Sequence, residues 1–286
     1  AVADAEHHSN LLPWRCHEVL RLEIGADGAV DLARAAAAIR EARPSLLTLS
    51  LIGNALGTRQ PVEELTALAH EVGASVMLDV SQAVGHEPLN VRTLDCDFLC
   101  FSGHKMMGPG GVGVLYVRSG LEDSLQPLLR GGSMVLNVGL EDCELQPFPW
   151  CFEAGTPNVE GVLGLAAACR YLDGIGLDRI DAHNRGLSCL LRQGLRQIPR
   201  VTIHGAADDE CSAITSFSVS GQQAHGVARL LSNRHAMMLR SGYHCAQPLH
   251  LVLQLPETVR VSVHLYNTAD EIRKCVAAVE VASKMP

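Results

Sequence analysis

The chain has 286 residues, 47% of them hydrophobic and 19% charged, proportions that exclude a disordered or collagen-like protein. Its 31 acidic residues against 23 basic ones leave a net charge of −8 at pH 7, no basic run interrupts that balance, and only 4% of residues are aromatic. A nucleic-acid surface and a stacking platform for single strands are therefore not expected, and the longest apolar runs, such as Val112–Val117, are too short to cross a bilayer.

The ten cysteines are irregularly spaced and form no CxxC pair. Cys96 and Cys100 lie in a run that reads as a strand, which would set their Cα atoms about 13 Å apart, beyond the reach of a disulfide or a shared metal. No group of His and Cys has zinc-ligand spacing. Buried thiols in a reducing compartment are the expectation, with a cytoplasmic location, or an organellar one if a targeting segment precedes Ala1. The sequence opens at Ala1 without Met, which predicts processing or a longer parent chain.

In chain order, a strand is expected at Val19–Ile24 and another at Ser45–Ile52, the second a short apolar run of strand length. Pro61–Gly73 follows, with Pro at a first helical position, apolar residues at helical spacing and a closing Gly. Ala74–Asp79, Cys96–Phe101 and Val112–Val117 again read as buried strands. Strands separated by helical crossovers predict a mostly parallel sheet whose ligands sit beyond the carboxyl ends of the strands. Helices are expected at Val159–Leu172 and Asp178–Gln197. After them the pattern changes to strand-like Ala213–Ser220 and Arg260–Leu265, with helices at Ala224–Leu231 and Ala269–Lys284. The reading is an α/β chain with a large domain over 1–172 and a smaller α+β domain over 173–286.

Asp79 closes one predicted strand and Lys105 follows the end of another, inside Ser102-Gly103-His104-Lys105. A carboxylate and an amine on neighbouring strand ends, with hydroxyl and imidazole donors beside the amine, match the needs of pyridoxal 5'-phosphate: a Schiff-base lysine, a partner for the ring nitrogen and donors for the phosphate. Cys245, in Tyr243-His244-Cys245-Ala246-Gln247-Pro248, reads as a loop thiol. Beside His244 and near Arg240 it would gain nucleophilic character.

Asp79-Val80-Ser81-Gln82, Ser102-Gly103-His104-Lys105, Phe152-Glu153-Ala154-Gly155-Thr156-Pro157-Asn158 and Arg240-Ser241-Gly242-Tyr243-His244-Cys245-Ala246-Gln247-Pro248 occur in this order, joined by Glu6-His7-His8-Ser9-Asn10, Asn54-Ala55-Leu56-Gly57-Thr58 and Tyr266-Asn267-Thr268. Together they resemble the group II cysteine desulfurases and selenocysteine lyases of the class V aminotransferase superfamily, pyridoxal-phosphate transferases of fold type I. The resemblance implies Lys105 as the Schiff-base lysine, Asp79 on the pyridine nitrogen and Gln82 on the phenolic oxygen. It implies His7 stacked on the ring and moving protons, and Ser102 and His104 on the phosphate. Thr156 would reach the phosphate held by the other subunit of a homodimer. Asn54, also a cofactor contact, would fix the substrate carboxylate with Arg260, and Arg240, beside the cysteine loop, would also bind the substrate.

The implied reaction begins when L-cysteine displaces Lys105, which then removes the Cα proton. Cys245 takes the substrate sulfur as a persulfide, alanine leaves, and an acceptor protein draws the sulfur toward iron–sulfur cluster assembly. L-selenocysteine would follow the same route. Two alternatives stay open: another class V reaction with Cys245 structural, such as a C–S lyase or an aminotransferase, or a non-catalytic remnant of the family. Relative to the family pattern, the portion before Glu6-His7-His8 is absent and the segment after Trp14 is short. Ser81 stands where a ring-packing Ala is usual, and Tyr243 where His is common.

Overall fold

The computed structural model describes residues 1–207 and 212–285; Cys211, one of the ten cysteines, lies outside them. Two sheets organise the chain. The first uses β1 (Val2–Ala3), β2 (Arg21–Leu22), β3 (Leu46–Ser50), β4 (Ser75–Asp79), β5 (Phe98–Ser102) and β6 (Gly113–Val117) in the order β2-β1-β3-β4-β5-β6. Every pairing is parallel except the last, where β6 runs antiparallel to β5. The reason is local: β5 and β6 are joined by a short 3₁₀ turn instead of a helical crossover, and parallel neighbours need the longer connection. The expected strand at Val19–Ile24 shortens to Arg21–Leu22.

Helix α1 (Leu32–Ala42) starts where the Asp31 carboxylate accepts from the backbone N–H groups of Ala33 and Arg34, at 3.0 and 3.1 Å. Together with α2 (Val62–Glu71) it buries Ala35, Ile39, Leu65 and Ala69 against Leu47, Leu49, Val76 and Leu78 of the sheet. A single-turn helix α3 (Val91–Leu94) precedes β5. A two-stranded ribbon follows β6, made of β7 (Val135–Val138) and β8 (Cys143–Leu145). The long helices α4 (Val159–Ile175) and α5 (Leu177–Arg196) place Leu165, Leu172 and Ile180 in one cluster with Met106.

The second sheet is antiparallel. It contains β9 (Val201–His204), β10 (Ile214–Val219), β11 (Arg240–Gly242) and β12 (Thr258–Ser262) in the order β11-β12-β10-β9. Its strand β12 begins two residues earlier and ends three residues sooner than the expected Arg260–Leu265. Helices α5, α6 (Ala224–His235) and α8 (Ala269–Ser283) cover it around the fully buried Phe217, while α7 (Gln247–Val252) follows the cysteine segment. The loop after β3 docks on this second sheet. Gly57 has φ +76°, and a Cβ there would stand 2.6 Å from the Ile214 carbonyl oxygen, so only glycine allows that approach.

Candidate active site

The carboxyl ends of β3, β4 and β5 lie side by side, with Ser50 in register with Asp79 and Asp79 with Cys100. Asp79 is half-buried, and its Oδ1 accepts from the Ser81 N–H at 2.9 Å, which fixes the carboxylate at the head of the following turn. Ser102 ends β5 immediately before the 3₁₀ turn Gly103–Met106 that carries His104 and Lys105. That turn is tight: a Cβ on Gly108 would stand 2.8 Å from the Gly103 carbonyl oxygen. Lys105 is half-buried. Burial is the main cause holding its amine below the ordinary lysine range, opposed by Asp79 and Cys245 and reinforced by Arg260. Amine, carboxylate, thiol and guanidinium thus act on one another although they come from distant parts of the sequence.

The opposite wall comes from the first ten residues. Glu6 is 1% exposed; its Oε1 accepts from the Ser50 N–H at 2.8 Å, and its Oε2 accepts from the Ser50 hydroxyl at 2.6 Å and the Asn10 amide at 2.7 Å. Burial pushes this carboxyl up to about 7, the three donors pull it back, and Asp79 adds to the rise. The pinned turn presents His7, whose Nδ1 accepts from the Ser9 N–H at 3.1 Å. The His7 imidazole is held below its usual value, first by burial and then by the Lys105 charge. The His8 N–H donates to the Cys245 carbonyl at 2.9 Å, joining this turn to the cysteine segment.

Arg260 lies mid-strand on β12, cross-strand from Arg240 of β11 and from Ser216 of β10. Burial and the Arg240 charge push it down to about 10, which leaves a cation at neutral pH, and its Nη1 donates to the Asn54 carbonyl at 2.7 Å. The Asn54 Nδ2 donates to the His244 carbonyl at 2.5 Å. Cys245 is half-buried, in the segment between β11 and α7. The expectation that His244 makes this thiol more nucleophilic does not hold. His244 is 4% exposed, burial pushes its imidazole down to about 4, and its ring faces Thr258 instead, so it is neutral in the physiological range.

The structure therefore brings together Asp79, Lys105, His7, Arg240, Arg260, Asn54 and Cys245. Gln82 and Ser102 stand half-buried on the turns beside Asp79 and Lys105, His104 is exposed next to Lys105, and Thr156 is exposed in the segment before α4. Among the described residues, no side-chain hydrogen bond is formed by any of these four. Glu6 escaped the reading of single residues, although it belongs to the motif that flagged His7; its burial on β3 is a tertiary fact. A groove of about 650 Å³ lined by Trp14, His17, Leu20, Pro44 and Leu46 lies at the β1 and β3 end of the sheet and includes none of the site residues.

A buried, unpartnered Nε on Arg260 and a buried, unpartnered Oδ1 on Asn54 stand beside the Lys105–Asp79 pair. An amine held below its normal range, a facing carboxylate and free hydroxyl and imidazole donors are a donor set that fits pyridoxal phosphate. Fold and site together define a pyridoxal-phosphate enzyme of the mostly parallel-sheet transferase type.

The chain belongs to the class V aminotransferase family, whose model, "Aminotransferase class-V", matches residues 1–275. It is 38% identical to a cysteine desulfurase of Serratia proteamaculans over 99% of this chain and 71% of that protein. It is 42% identical to a probable cysteine desulfurase of Mycobacterium leprae over 96% of this chain and 67% of that one. The apo cysteine desulfurase of Thermococcus onnurineus superposes with a TM-score of 0.94 at 38% identity, covering 99% of this chain and 72% of its own. Pyridoxal phosphate is the cofactor of this family.

Proposed function

We propose that the chain is a cysteine desulfurase that converts L-cysteine to L-alanine and retains the sulfur as a persulfide on Cys245. The observation that carries this reading is the Cys245 thiol within the electrostatic reach of Lys105 and Arg260, delivered there by a segment from the other sheet. L-selenocysteine fits the same residues.

In this reading Lys105 would hold the cofactor through its aldehyde, Asp79 would meet its ring nitrogen, Gln82 its phenolic oxygen, and Ser102 and His104 its phosphate, with Thr156 of the partner subunit completing the phosphate site. His7 would cover the ring, and Asn54 would contact cofactor and substrate. When bound, pyridoxal phosphate supplies an electron sink for the charge left on the substrate Cα. The Arg260 guanidinium holds the substrate carboxylate, for which its planar fork is suited, with Arg240 adding positive charge at the rim. Lys105, freed when the substrate amine takes its place and kept below the usual lysine range by burial, would take the Cα proton on Nζ. The Cys245 sulfur then bonds to the substrate sulfur as the carbon–sulfur bond breaks. The electron pair stays on Cβ, which takes up the proton given up by the Cys245 thiol, Lys105 returns the other proton to Cα, and alanine leaves.

The exposed apolar side chains Leu128, Leu140, Trp150, Val162 and Leu163 support a homodimer. The division into a cofactor-binding part over 1–172 and a small part over 173–286, the delivery of persulfide sulfur to an acceptor protein for iron–sulfur assembly, and a cytoplasmic location belong to the same reading. Among the described residues, no helix is long and apolar enough to cross a membrane.

The test is a pair of substitutions. Cys245→Ala should keep the visible absorbance of added pyridoxal phosphate and lose alanine and sulfide release from L-cysteine, whereas Lys105→Ala should lose that absorbance. Full desulfuration by Cys245→Ala would overturn the reading and favour a C–S lyase; unchanged absorbance in Lys105→Ala would remove the assigned role of Lys105.

A further inference from the structure

His244 and Cys245 are consecutive non-glycine residues in the left-handed region, with φ +53° and +60°. Side chains rarely adopt that conformation, and two in succession persist only where the surroundings hold them. The restraints around this pair are specific. Asn54 donates to the His244 carbonyl at 2.5 Å, the His8 N–H donates to the Cys245 carbonyl at 2.9 Å, and Ala246 closes the turn on Tyr243 at 2.9 Å. Both carbonyls of the strained pair are thereby held from outside the segment.

The side chain of His244 supplies the remaining restraint. It leaves the cysteine side of the loop and enters the protein, where Nε2 lies 2.9 Å from the hydroxyl of the fully buried Thr258. Thr258 is the register partner of Gly242 at the end of β11, so the ring reaches back over the strand that launches the loop. The His250 ring, 6.3 Å away between centroids, backs it, and Tyr243 meets His250 edge-on at 5.2 Å. A buried neutral ring gripping the β11–β12 pair is a mechanical anchor.

We infer that His244 is a positioning residue for Cys245, whose ring, pegged to Thr258, holds the cysteine segment in its left-handed turn so that the thiol faces Lys105 and Arg260. The inference rests on Cys245 as nucleophile, and it predicts opposite changes in two properties of that thiol. Freed from its peg, the half-buried thiol reacts faster with a small alkylating agent. It meets the substrate sulfur less often in an aligned geometry, which lowers kcat.

The experiment uses the holoenzyme and measures iodoacetamide alkylation of the peptide containing Cys245, with kcat, KM for L-cysteine and cofactor absorbance alongside. His244→Ala should raise the alkylation rate by about threefold or more and lower kcat by about tenfold or more, with KM and cofactor absorbance within about twofold of the parent. His244→Asn, which tolerates the left-handed backbone but lacks the reach, should behave like His244→Ala. Thr258→Val removes only the hydroxyl and should shift both rates in the same directions by less; it serves as the decisive variant if the His244 substitutions fold poorly. Alkylation and kcat both within about twofold of the parent in any folded His244 variant would overturn the inference, as would His244→Asn matching the parent. Failure of the underlying reading looks different: Cys245→Ala would then remain active, while the alkylation rates still report on the peg.

Discussion

Burial pushes the Glu6 carboxyl up to about 7, so this acid changes charge across the neutral range. Its folded pKa lies above the unfolded value of 4.5, so its contribution to stability is whole below pH 4.5 and is lost as pH rises toward 7, by about 3 kcal/mol in total. Glu6→Gln does not titrate. Urea unfolding at a series of pH values should therefore show the variant gaining on the parent between pH 4.5 and 7; a difference independent of pH would refute the assignment. Residues of this kind mark the limit of what a sequence discloses. Lys105 and Asp79 stood out because they sit in short motifs at strand ends, whereas Arg260 lies in no motif and was singled out by the family resemblance alone. Whether a histidine beside a cysteine carries charge depends on burial, and His244 turned away from the role its neighbour suggested. Glu6 and Thr258 act through what they touch, and those contacts cross from one sheet element to another.

The start of α8 shows how much an element's own residues decide. Thr268 accepts from the Glu271 N–H at 3.3 Å and Glu271 accepts from the Thr268 N–H at 2.8 Å, a reciprocal cap written within four residues. Thr268→Ala should cost about 1 kcal/mol in urea unfolding while leaving kcat unchanged, since α8 packs on the second sheet away from Lys105. A loss below about 0.3 kcal/mol would show that the second sheet, and not the cap, holds this helix end. Caps and periodicity made α2, α4, α5 and α8 readable to within a few residues. Strand direction was another matter: β6 carries the same apolar pattern as its parallel neighbours, and only the short turn before it dictates antiparallel pairing. Strand β11, three residues long, has no pattern of its own and exists because β12 offers it an edge.

Across the whole molecule, large apolar side chains remain in contact with solvent over 128–163, with Leu128 95% and Leu163 65% exposed. Surfaces of this kind are covered in assemblies. Light scattering on the purified protein should give twice the mass of the 30.6 kDa chain, and Leu163→Asp should shift it toward one. A parent protein of single-chain mass at micromolar concentration would remove the homodimer from the proposal. Both the mostly parallel first sheet and the change of pattern toward the carboxyl end were legible from element order; how the second sheet delivers a thiol to the first was not, because it depends on contacts such as Asn54 to His244. One of those contacts has a temporal meaning. The hydrogen bond from His8 to Cys245 closes the cleft with residues far apart in the sequence. During synthesis the strands before residue 120 can gather before residue 245 has been made, yet the cleft stays unfinished until that residue has emerged and folded back. Closure of the cleft therefore waits on a fold-back across more than two hundred residues, and translation rate sets its earliest moment.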